Sequence, residues 1–189
     1  MKTEIKRNTK ETQIDLTLEY PGTERQIDTN CSFMNHMIDL MCHRGGLGIT
    51  LKARGDVEID AHHLAEDLGI ALGQALKTLA KAGPIHRYGW CLLPMDGSLA
   101  RVALDFSGRG GAYFSGEFPS QKCGDFDTEL VPEFLHALAR EGGVTLHADL
   151  LKADNSHHAA EAVFKGLGMS LAAALEPAAG APSTKGLWL

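Results

Sequence analysis

Residues 62–76 read HHLAEDLGIALGQAL, and residues 157–175 read HHAAEAVFKGLGMSLAAAL. The second stretch begins 95 residues after the first, about half the length of the 189-residue chain. At this offset both histidines of each HHxxE box fall into register, and so do Ala65 with Ala160, Glu66 with Glu161, Leu72 with Leu167, Gly73 with Gly168, Ala75 with Ser170 and Leu76 with Leu171. Two similar stretches at a fixed spacing indicate an internal duplication.

Each box is preceded by an alternating segment that follows a pair of glycines. The segments are 49–53, with the sequence ITLKA, and 144–148, with the sequence VTLHA. Alternation of apolar and polar residues predicts a half-buried strand. We therefore predict an α+β fold of two duplicated β/α half-domains, 1–93 and 94–189, with helices packed on one face of mostly antiparallel sheets. No linker separates the halves, so we expect one compact domain.

Shorter patterns predict the remaining elements. Residues 7–18 and 25–29 are expected to form an opening hairpin around Pro21-Gly22, and residues 100–107 a further strand. Apolar residues at helical spacing predict four helices, at 33–42, 66–81, 128–140 and 161–175.

The composition limits the partners and the location. Lys and Arg number 18 against 24 Asp and Glu, for a formal net charge of -6. This balance argues against a nucleic-acid partner, because phosphate backbones attract clustered positive charge. No apolar run approaches the roughly 20 residues that cross a bilayer, and no secretory signal follows Met1. Four widely spaced cysteines are typical of reduced thiols, so we expect a cytoplasmic protein that binds neither nucleic acid nor membrane.

The HHxxE boxes carry the chemistry. If each box forms the first turn of its helix, Glu66 is within reach of His62 and His63, four and three positions away. Consecutive side chains of a helix point about 100° apart, so the two histidines of a doublet do not easily bind one ion together. We expect each of them to serve a different metal. Two boxes related by a pseudo-two-fold axis, or meeting at a subunit contact, would then build two metal sites.

Two more histidines can face the same region, one on the helix before the first box and one on the strand before the second. The predicted metal ligands are thus His36, His62, His63, Glu66, His147, His157, His158 and Glu161, three imidazoles and one carboxylate per metal. This donor set suits manganese, iron, cobalt or zinc and leaves positions open for a substrate. Asp60 and Asp67 are expected to orient ring N–H groups of the histidines.

Several cations indicate a pocket for an anion. The segment Pro182-Ser183-Thr184-Lys185-Gly186 combines backbone N–H groups, hydroxyls and an ammonium group, and Ser107-Gly108-Arg109 is similar. Arg87 and Lys165 are further candidates. The sequence has no phosphate-binding glycine motif of the nucleotide-binding folds, which argues against a nucleotide ligand.

Longer motifs extend over nearly the whole chain: RNTKET at 7–12, FMNHM at 33–37, GDVEIDAHHLAED at 55–67, LDFSGR at 104–109, FDTELV at 126–131, NSHHAAEAVFK at 155–165 and PSTKG at 182–186. In order and content they resemble the imidazoleglycerol-phosphate dehydratase family. The resemblance implies a fold similar to the second domain of ribosomal protein S5 and a homo-oligomer of 24 subunits with active sites between subunits. It also implies a hydro-lyase of histidine biosynthesis, which converts imidazole glycerol phosphate to imidazole acetol phosphate and water with two Mn²⁺ ions per active site.

The resemblance assigns roles to individual residues as well. It gives the predicted metal ligands above, and it places the substrate phosphate against Arg87, Arg109, Lys165, Ser183 and Lys185. The catalytic residues it implies are Glu11, Glu161 and Asp96, with Glu11 also contacting the substrate. Which of Glu11 and Glu161 moves the protons stays open at this point.

Four positions depart from the family's pattern. Ala61 stands where the family usually has Asp before the doublet, Gly97 where it has Glu, and Gly110 where it has Pro. The family's His-Gly pair after the first helix is Arg44-Gly45 here, so Arg44, or His43 one place earlier, would take that histidine's contact with the substrate.

Three other interpretations remain. One is a divergent paralogue that acts on another substrate, and a second is a metal-dependent hydrolase on the same scaffold. The third is a nucleic-acid-binding module whose histidines are structural. The negative charge and the twin HHxxE boxes speak against the third interpretation.

Overall fold

The computed structural model describes residues 1–180 and has the predicted α+β fold. The strands are β1 Lys2–Asn8, β2 Thr12–Glu19, β3 Arg25–Asp28, β4 Gly48–Gly55, β5 Tyr88–Met95, β6 Ser98–Asp105, β7 Gly111–Ser115, β8 Lys122–Cys123, β9 Phe126–Asp127 and β10 Thr145–Lys152. The helices are α1 Ser32–Gly45, α2 His62–Lys81, α3 Leu130–Gly142 and α4 Ser156–Leu175. In the part of the chain that the structure describes, no helix is long and apolar enough to cross a membrane.

The strand order of the first sheet is repeated in the second. The first sheet has the order β1-β2-β4-β3 and the second β5-β6-β10-β7. In each sheet the first three strands are antiparallel, and the fourth lies parallel to its neighbour. The short pair β8 and β9 is an addition to the second half. The predicted boundary at 93/94 falls within β5, and the two sheets divide earlier, between α2 and β5.

The helices form a layer that the two sheets cover. Helices α1 and α2 pack on the first sheet, α3 and α4 pack on the second, and across the layer α2 contacts α3 while α1 contacts α4. Alternate residues of β2 and β6 are buried, as expected for strands with one face on a core. The buried apolar residues of both halves form one cluster.

Glycines allow each pair of helices to approach closely. A Cβ added to Gly73 of α2 would lie 2.5 Å from the carbonyl oxygen of Leu138 in α3. A Cβ added to Gly168 of α4 would overlap the carbonyl oxygen of Met41 in α1. Gly73 and Gly168 are the pair that the repeat brings into register, so the same close contact is built twice.

Two sequence predictions about the first sheet are wrong. Residues 7–18 do not form one strand, because the chain reverses at 9–11 and β1 pairs with β2. Strands β2 and β3 do not form a hairpin either, since β4 lies between them and β3 runs parallel to β4. The connection around Pro21-Gly22 instead crosses the start of β4, where Gly22 donates a backbone hydrogen bond to Gly46.

The four predicted helices exist, but their bounds differ. Helices α2 and α4 begin at His62 and Ser156, so both HHxxE boxes occupy the first turn. Helices α1 and α3 extend to the glycine pairs that follow them, and end where Gly46 and Gly143 adopt left-handed conformations with φ of 60° and 65°.

We predict that Gly73→Ala destabilises the protein by roughly 1–3 kcal/mol, because the added methyl group forces α2 away from the backbone of α3. Thermal denaturation of the variant measures the change. Gly83→Ala is the matched control, since a Cβ at that position meets nothing within 4 Å. Equal melting temperatures for Gly73→Ala and the wild type would contradict the proposed role of the close contact.

Candidate active site

The first cluster of potential metal ligands joins α1 to α4. The ligand atoms of His36, His157 and Glu161 all lie within 4.8 Å of one another. His36 Nε2 is 2.9 Å and His157 Nε2 is 3.1 Å from the same carboxylate oxygen, Oε1 of Glu161. His157 and Glu161 are one helical turn apart on α4, and the contact between α1 and α4 adds His36.

The second cluster joins α2 to α3. It consists of His62, Glu66 and Glu133, whose ligand atoms also lie within 4.8 Å of one another. His62 and Glu66 have the spacing of the first cluster's box residues, but the third member is a carboxylate. Arg140 Nη2 lies 3.2 Å from Glu66 Oε1. Glu133 is absent from the predicted ligand set, because a single glutamate on an amphipathic helix is ordinarily a solvated residue.

Glu161 is held in its ionised form. Burial alone would raise the pKa of this carboxyl, but hydrogen bonds from Lys165 and His36 lower it to about 2. Lys165 Nζ lies 2.6 Å from Glu161 Oε2. The carboxylate is therefore charged throughout the physiological pH range and always available as an anionic ligand.

The second histidine of each doublet points elsewhere. The rings of His62 and His63 are at 90° to each other, and those of His157 and His158 at 82°. As a result, the structure places neither His63 nor His158 in the cluster of its neighbour.

His63 has carboxylate neighbours on both sides of its ring. Its Nδ1 lies 2.9 Å from Asp56 Oδ2, and its Nε2 lies 3.9 Å from Glu11 Oε1. The hydrogen bond to Asp56 raises the pKa of His63, although desolvation opposes the shift. A carboxylate on Nδ1 fixes the ring and leaves Nε2 to bind an ion.

His158 lies among polar groups of the second half. Its Nδ1 is 2.7 Å from the side-chain amide nitrogen of Asn155, and its Nε2 is 3.5 Å from Asp96 Oδ2. Asp154 Oδ1 lies 3.8 Å from Nδ1. Asp96 sits in the tight β5–β6 turn with a φ of 48°, an unusual value for a residue other than glycine.

Asp67 anchors the β1–β2 hairpin and does not orient a histidine ring, so that prediction is wrong. Its carboxylate is buried and forms an ion pair with Arg7, with Arg7 Nη2 2.8 Å from Asp67 Oδ1. It also accepts a hydrogen bond from the Thr12 hydroxyl. Since Arg7 and Thr12 flank the turn that carries Glu11, Asp67 fixes where Glu11 projects.

Asp60 also differs from its predicted role. Its carboxylate accepts a hydrogen bond of 2.7 Å from the backbone N–H of His62, so it caps the start of α2. The carboxylate that orients an imidazole ring in this half is Asp56, which the sequence motifs did not single out.

The predicted phosphate-binding residues are spread over several elements. Lys165 adjoins the first cluster through Glu161. Arg87 forms a bidentate pair with Asp105, at 2.5 and 3.0 Å. Arg109 is exposed on the loop after β6. Ser183 and Lys185 lie outside the described residues.

Two predicted residues lie away from both clusters of the subunit. Arg44, like His43, is exposed at the end of α1, eight residues and therefore roughly 12 Å along the helix from His36. His147 projects from β10 on the face of the second sheet that is turned away from the helices, where its ring stacks on Tyr113 at a centroid distance of 4.7 Å.

A cleft of about 620 Å³ opens beside the first cluster. His36 and His157 line one side, and Asp60 and Ala61, which precede the first box, line another. The stacked rings of Phe33 and Phe126 complete its apolar part. The cleft thus offers a cavity of small-molecule size next to imidazole and carboxylate groups.

The fold and the clusters define a class: an α+β protein with a repeated sheet topology and two histidine–carboxylate clusters of a kind that can hold divalent cations. The family model described as imidazoleglycerol-phosphate dehydratase matches residues 29–171. The chain belongs to the imidazoleglycerol-phosphate dehydratase family, a family of hydro-lyases, and the resemblance of its motifs is thereby confirmed.

Relatives and solved structures agree with this assignment. An imidazoleglycerol-phosphate dehydratase of Cereibacter sphaeroides is 50% identical over 192 residues, covering 98% of this chain and 98% of the relative. One of Desulforudis audaxviator is 48% identical over 190 residues, covering 98% and 97%. The crystal structure of the dehydratase from Staphylococcus aureus superposes with a TM-score of 0.87 at 36% identity, covering 94% of this chain and 100% of that one.

We predict that Asp67→Asn lowers the free energy of unfolding by about 2 kcal/mol, because a charge-assisted pair with Arg7 is lost inside the protein. Urea denaturation measures the change. Asp15→Asn is the control in the β1–β2 hairpin that Asp67 anchors: its pair with Lys6 is exposed, and its loss should change little. If the two variants were equally stable, Asp67 would not be the anchor of the hairpin.

Proposed function

We propose that this protein dehydrates imidazole glycerol phosphate to imidazole acetol phosphate and water, as a hydro-lyase of histidine biosynthesis. The observation that carries the proposal is the pair of histidine–carboxylate clusters in a chain that aligns with named dehydratases over nearly its whole length. A hydrolase on the same scaffold has no comparable support from the relatives.

We assign two Mn²⁺ ions to each active site. The donor set fits, because each cluster brings three ligand atoms within 4.8 Å of one another, and imidazole with carboxylate suits Mn²⁺. Of the eight predicted ligands, His36, His157 and Glu161 would serve one ion, and His62 and Glu66 the other. Bound ions would favour loss of the ring N–H proton of the substrate, and the electron-rich ring that results could expel the neighbouring hydroxyl group.

We assign proton transfer to Glu11. Glu161, whose pKa is about 2, is too weak a base to accept a proton from carbon efficiently, and it serves better as a ligand. Glu11 lies at the tip of the β1–β2 hairpin, 3.9 Å from His63 Nε2, and is exposed toward any substrate bound there. In this scheme Glu11 removes the proton from the carbon next to the one that loses its hydroxyl group, and Asp96 orients His158.

The substrate phosphate is assigned to cations near the first cluster and on the loop after β6. Lys165 and Arg109 would contact it directly, with Ser183 and Lys185 joining from the C-terminal segment. Arg87 would also contact the phosphate, and its two hydrogen bonds to Asp105 fix the orientation of its guanidinium group. Arg44 or His43 would complete the contacts from the end of α1.

The site needs more than one subunit. In a single subunit each cluster supplies three donors, while His63, His158 and His147 face other directions. We therefore propose active sites between subunits, in a homo-oligomer of 24.

The outer face of the second sheet supports this assembly. Trp90, Ala103, His147 and Tyr113 occupy one row across the four strands. Trp90 and Tyr113 expose 75% and 59% of their surface, which is unusual for large apolar side chains unless another chain covers them. A subunit that covered this row would meet His147.

We also infer a cytoplasmic location, without nucleic acid or membrane as partner. The net charge is -6 and all four cysteines are free thiols, as expected in a reducing compartment.

The purified protein, reloaded with Mn²⁺ after chelation, tests the function directly. We expect formation of imidazole acetol phosphate from imidazole glycerol phosphate, and loss of this activity with a chelator. Stoichiometric Mn²⁺ without dehydration would refute the proposal. Release of inorganic phosphate in place of dehydration would identify a hydrolase.

We predict that His158→Ala lowers kcat/KM by roughly 100-fold or more and weakens the assembly, because a metal ligand that joins subunits is lost. The assay above and sedimentation velocity measure both effects. His136→Ala is the matched control, since His136 is exposed on α3 and belongs to neither cluster. An active, fully assembled His158→Ala variant would contradict the assignment.

A further inference from the structure

The two histidines that lie outside the clusters, His63 and His158, have different neighbours at Nδ1. In His63 this nitrogen lies 2.9 Å from a carboxylate oxygen of Asp56. In His158 it lies 2.7 Å from the side-chain nitrogen of Asn155. The assignment of that amide is fixed, because Asn155 Oδ1 accepts a hydrogen bond of 2.8 Å from the backbone N–H of His158. An amide nitrogen donates and does not accept, so Nδ1 of His158 is the acceptor in this contact.

This contact determines where the ring of His158 carries its proton. A neutral imidazole has one N–H group, and when Nδ1 accepts, the proton is on Nε2. Nε2 faces the carboxylate of Asp96, with Asp96 Oδ2 3.5 Å away. A ring nitrogen binds an ion through its lone pair, so Nε2 can become a ligand when the proton has moved to Nδ1. The N–H at Nδ1 then needs an acceptor, and the amide nitrogen of Asn155 cannot be one.

Asp154 holds a carboxylate beside Nδ1 of His158. Its Oδ1 is 3.8 Å from that nitrogen, too far for a hydrogen bond in the present geometry. Oδ1 accepts hydrogen bonds of 2.6 Å from the buried Ser98 hydroxyl and 2.8 Å from the backbone N–H of Asn155. The backbone N–H of Asp154 in turn donates to Ser98 Oγ, at 3.2 Å. The carboxylate is thus anchored within reach of the ring.

Gly97 leaves the space that this carboxylate occupies. A Cβ added to Gly97 would lie 2.5 Å from Oδ2 and 2.7 Å from Cγ of Asp154. The β5–β6 turn and the loop before α4 therefore meet at a position where one side chain fits and two do not. The fixed position of Asp154 depends on the glycine in the turn.

We propose that Asp154 is a positioning residue for the metal ligand His158, an inference that rests on the proposed metal-dependent function. When Nε2 binds an ion, the single ring proton moves from Nε2 to Nδ1 through solvent, and the carboxylate of Asp154 accepts the new N–H in place of the Asn155 contact. The ring stays neutral, so no net proton is taken up or released. The inference concerns one imidazole and its neighbour, and it holds whichever subunits supply the other ligands of that ion.

The test is Mn²⁺ binding to metal-free, full-length protein, followed by the electron paramagnetic resonance signal of free Mn²⁺. Asp154→Asn keeps an oxygen that can accept from Ser98 and Asn155 but removes the charge that favours the N–H at Nδ1. We expect one class of sites to weaken by roughly 10- to 100-fold, the other class to be unchanged, and the melting temperature of the metal-free protein to stay close to that of the wild type.

Asp39→Asn is the matched control. Asp39 is about as exposed as Asp154 and is also held by a hydrogen bond, but its partner is Arg25. We expect this variant to bind Mn²⁺ as the wild type does. Wild-type Mn²⁺ binding by Asp154→Asn would overturn the proposal, and so would equal weakening of both classes of sites, which would indicate a general structural role.

A second variant tests the same contact from the β5–β6 turn. The backbone of Gly97 is not left-handed, so Gly97→Ala changes mainly the space beside Asp154. We expect the added methyl group to displace the carboxylate and to weaken the same class of sites roughly tenfold or more, with little further loss when it is combined with Asp154→Asn. Additive losses in the double variant would count against the inference. Failure of the dehydratase proposal has a different signature, namely wild-type protein that binds Mn²⁺ without turnover.

Discussion

The close approach of the helices at Gly73 and Gly168 is the constraint on which the site depends. A side chain at either position would meet the backbone of the partner helix, so the contact exists only because these residues lack a Cβ. The box residues lie at the N-terminal ends of the same two helices. Close packing of the helices therefore brings His62 and Glu66 to α3, and His157 and Glu161 to α1. The clusters are a consequence of packing between the halves.

This arrangement buries carboxylates from solvent, and a buried carboxylate needs a positively charged side chain or a hydrogen-bond donor beside it. Glu161, of which only 7% is exposed, has Lys165 and two imidazoles, and Asp67 has Arg7. The first pairing keeps Glu161 ionised. The second ties the edge hairpin to α2, so that Glu11 projects beside His63. The adjacent residues Glu66 and Asp67 of α2 thus have different roles. Glu66 belongs to the second cluster, and Asp67 anchors the β1–β2 hairpin beside it.

The elements that the internal repeat contains could be predicted from the sequence. The roles of residues that depend on a single tertiary contact could not. The twin boxes predicted α2 and α4 with histidines in the first turn, and apolar spacing and alternation predicted the other helices and the α+β class. Strand β1 was missed because KTEIKRN contains one apolar residue, Ile5, as an edge strand with a half-exposed face does. The roles of Asp56 and Asp67 depend on which loop folds back over α2, and nothing local encodes that. Glu133 joins His62 and Glu66 through the packing of α3 against α2, which no local pattern of the sequence encodes.

Neighbouring residues bear on three of the positions at which the motifs depart from the pattern of the family. Gly97 lacks the family's carboxylate, but a Cβ there would lie 2.5 Å from Asp154 Oδ2. Asp154, held by the Ser98 hydroxyl, supplies a carboxylate near His158 from another loop. Because this hydrogen bond lowers the pKa of Asp154, the group is ionised at neutral pH.

A neighbour also supplies the missing contact at Ala61, whereas Gly110 is explained by packing. Ala61 cannot cap α2 through its side chain, and Asp60, one residue earlier, accepts the His62 backbone hydrogen bond instead. A Cβ at Gly110 would overlap the carbonyl oxygen of Arg140, whose side chain pairs with Glu66. A proline at this position would therefore push the loop away from α3 and disturb the cation beside the second cluster. The glycine is therefore the residue that this packing requires.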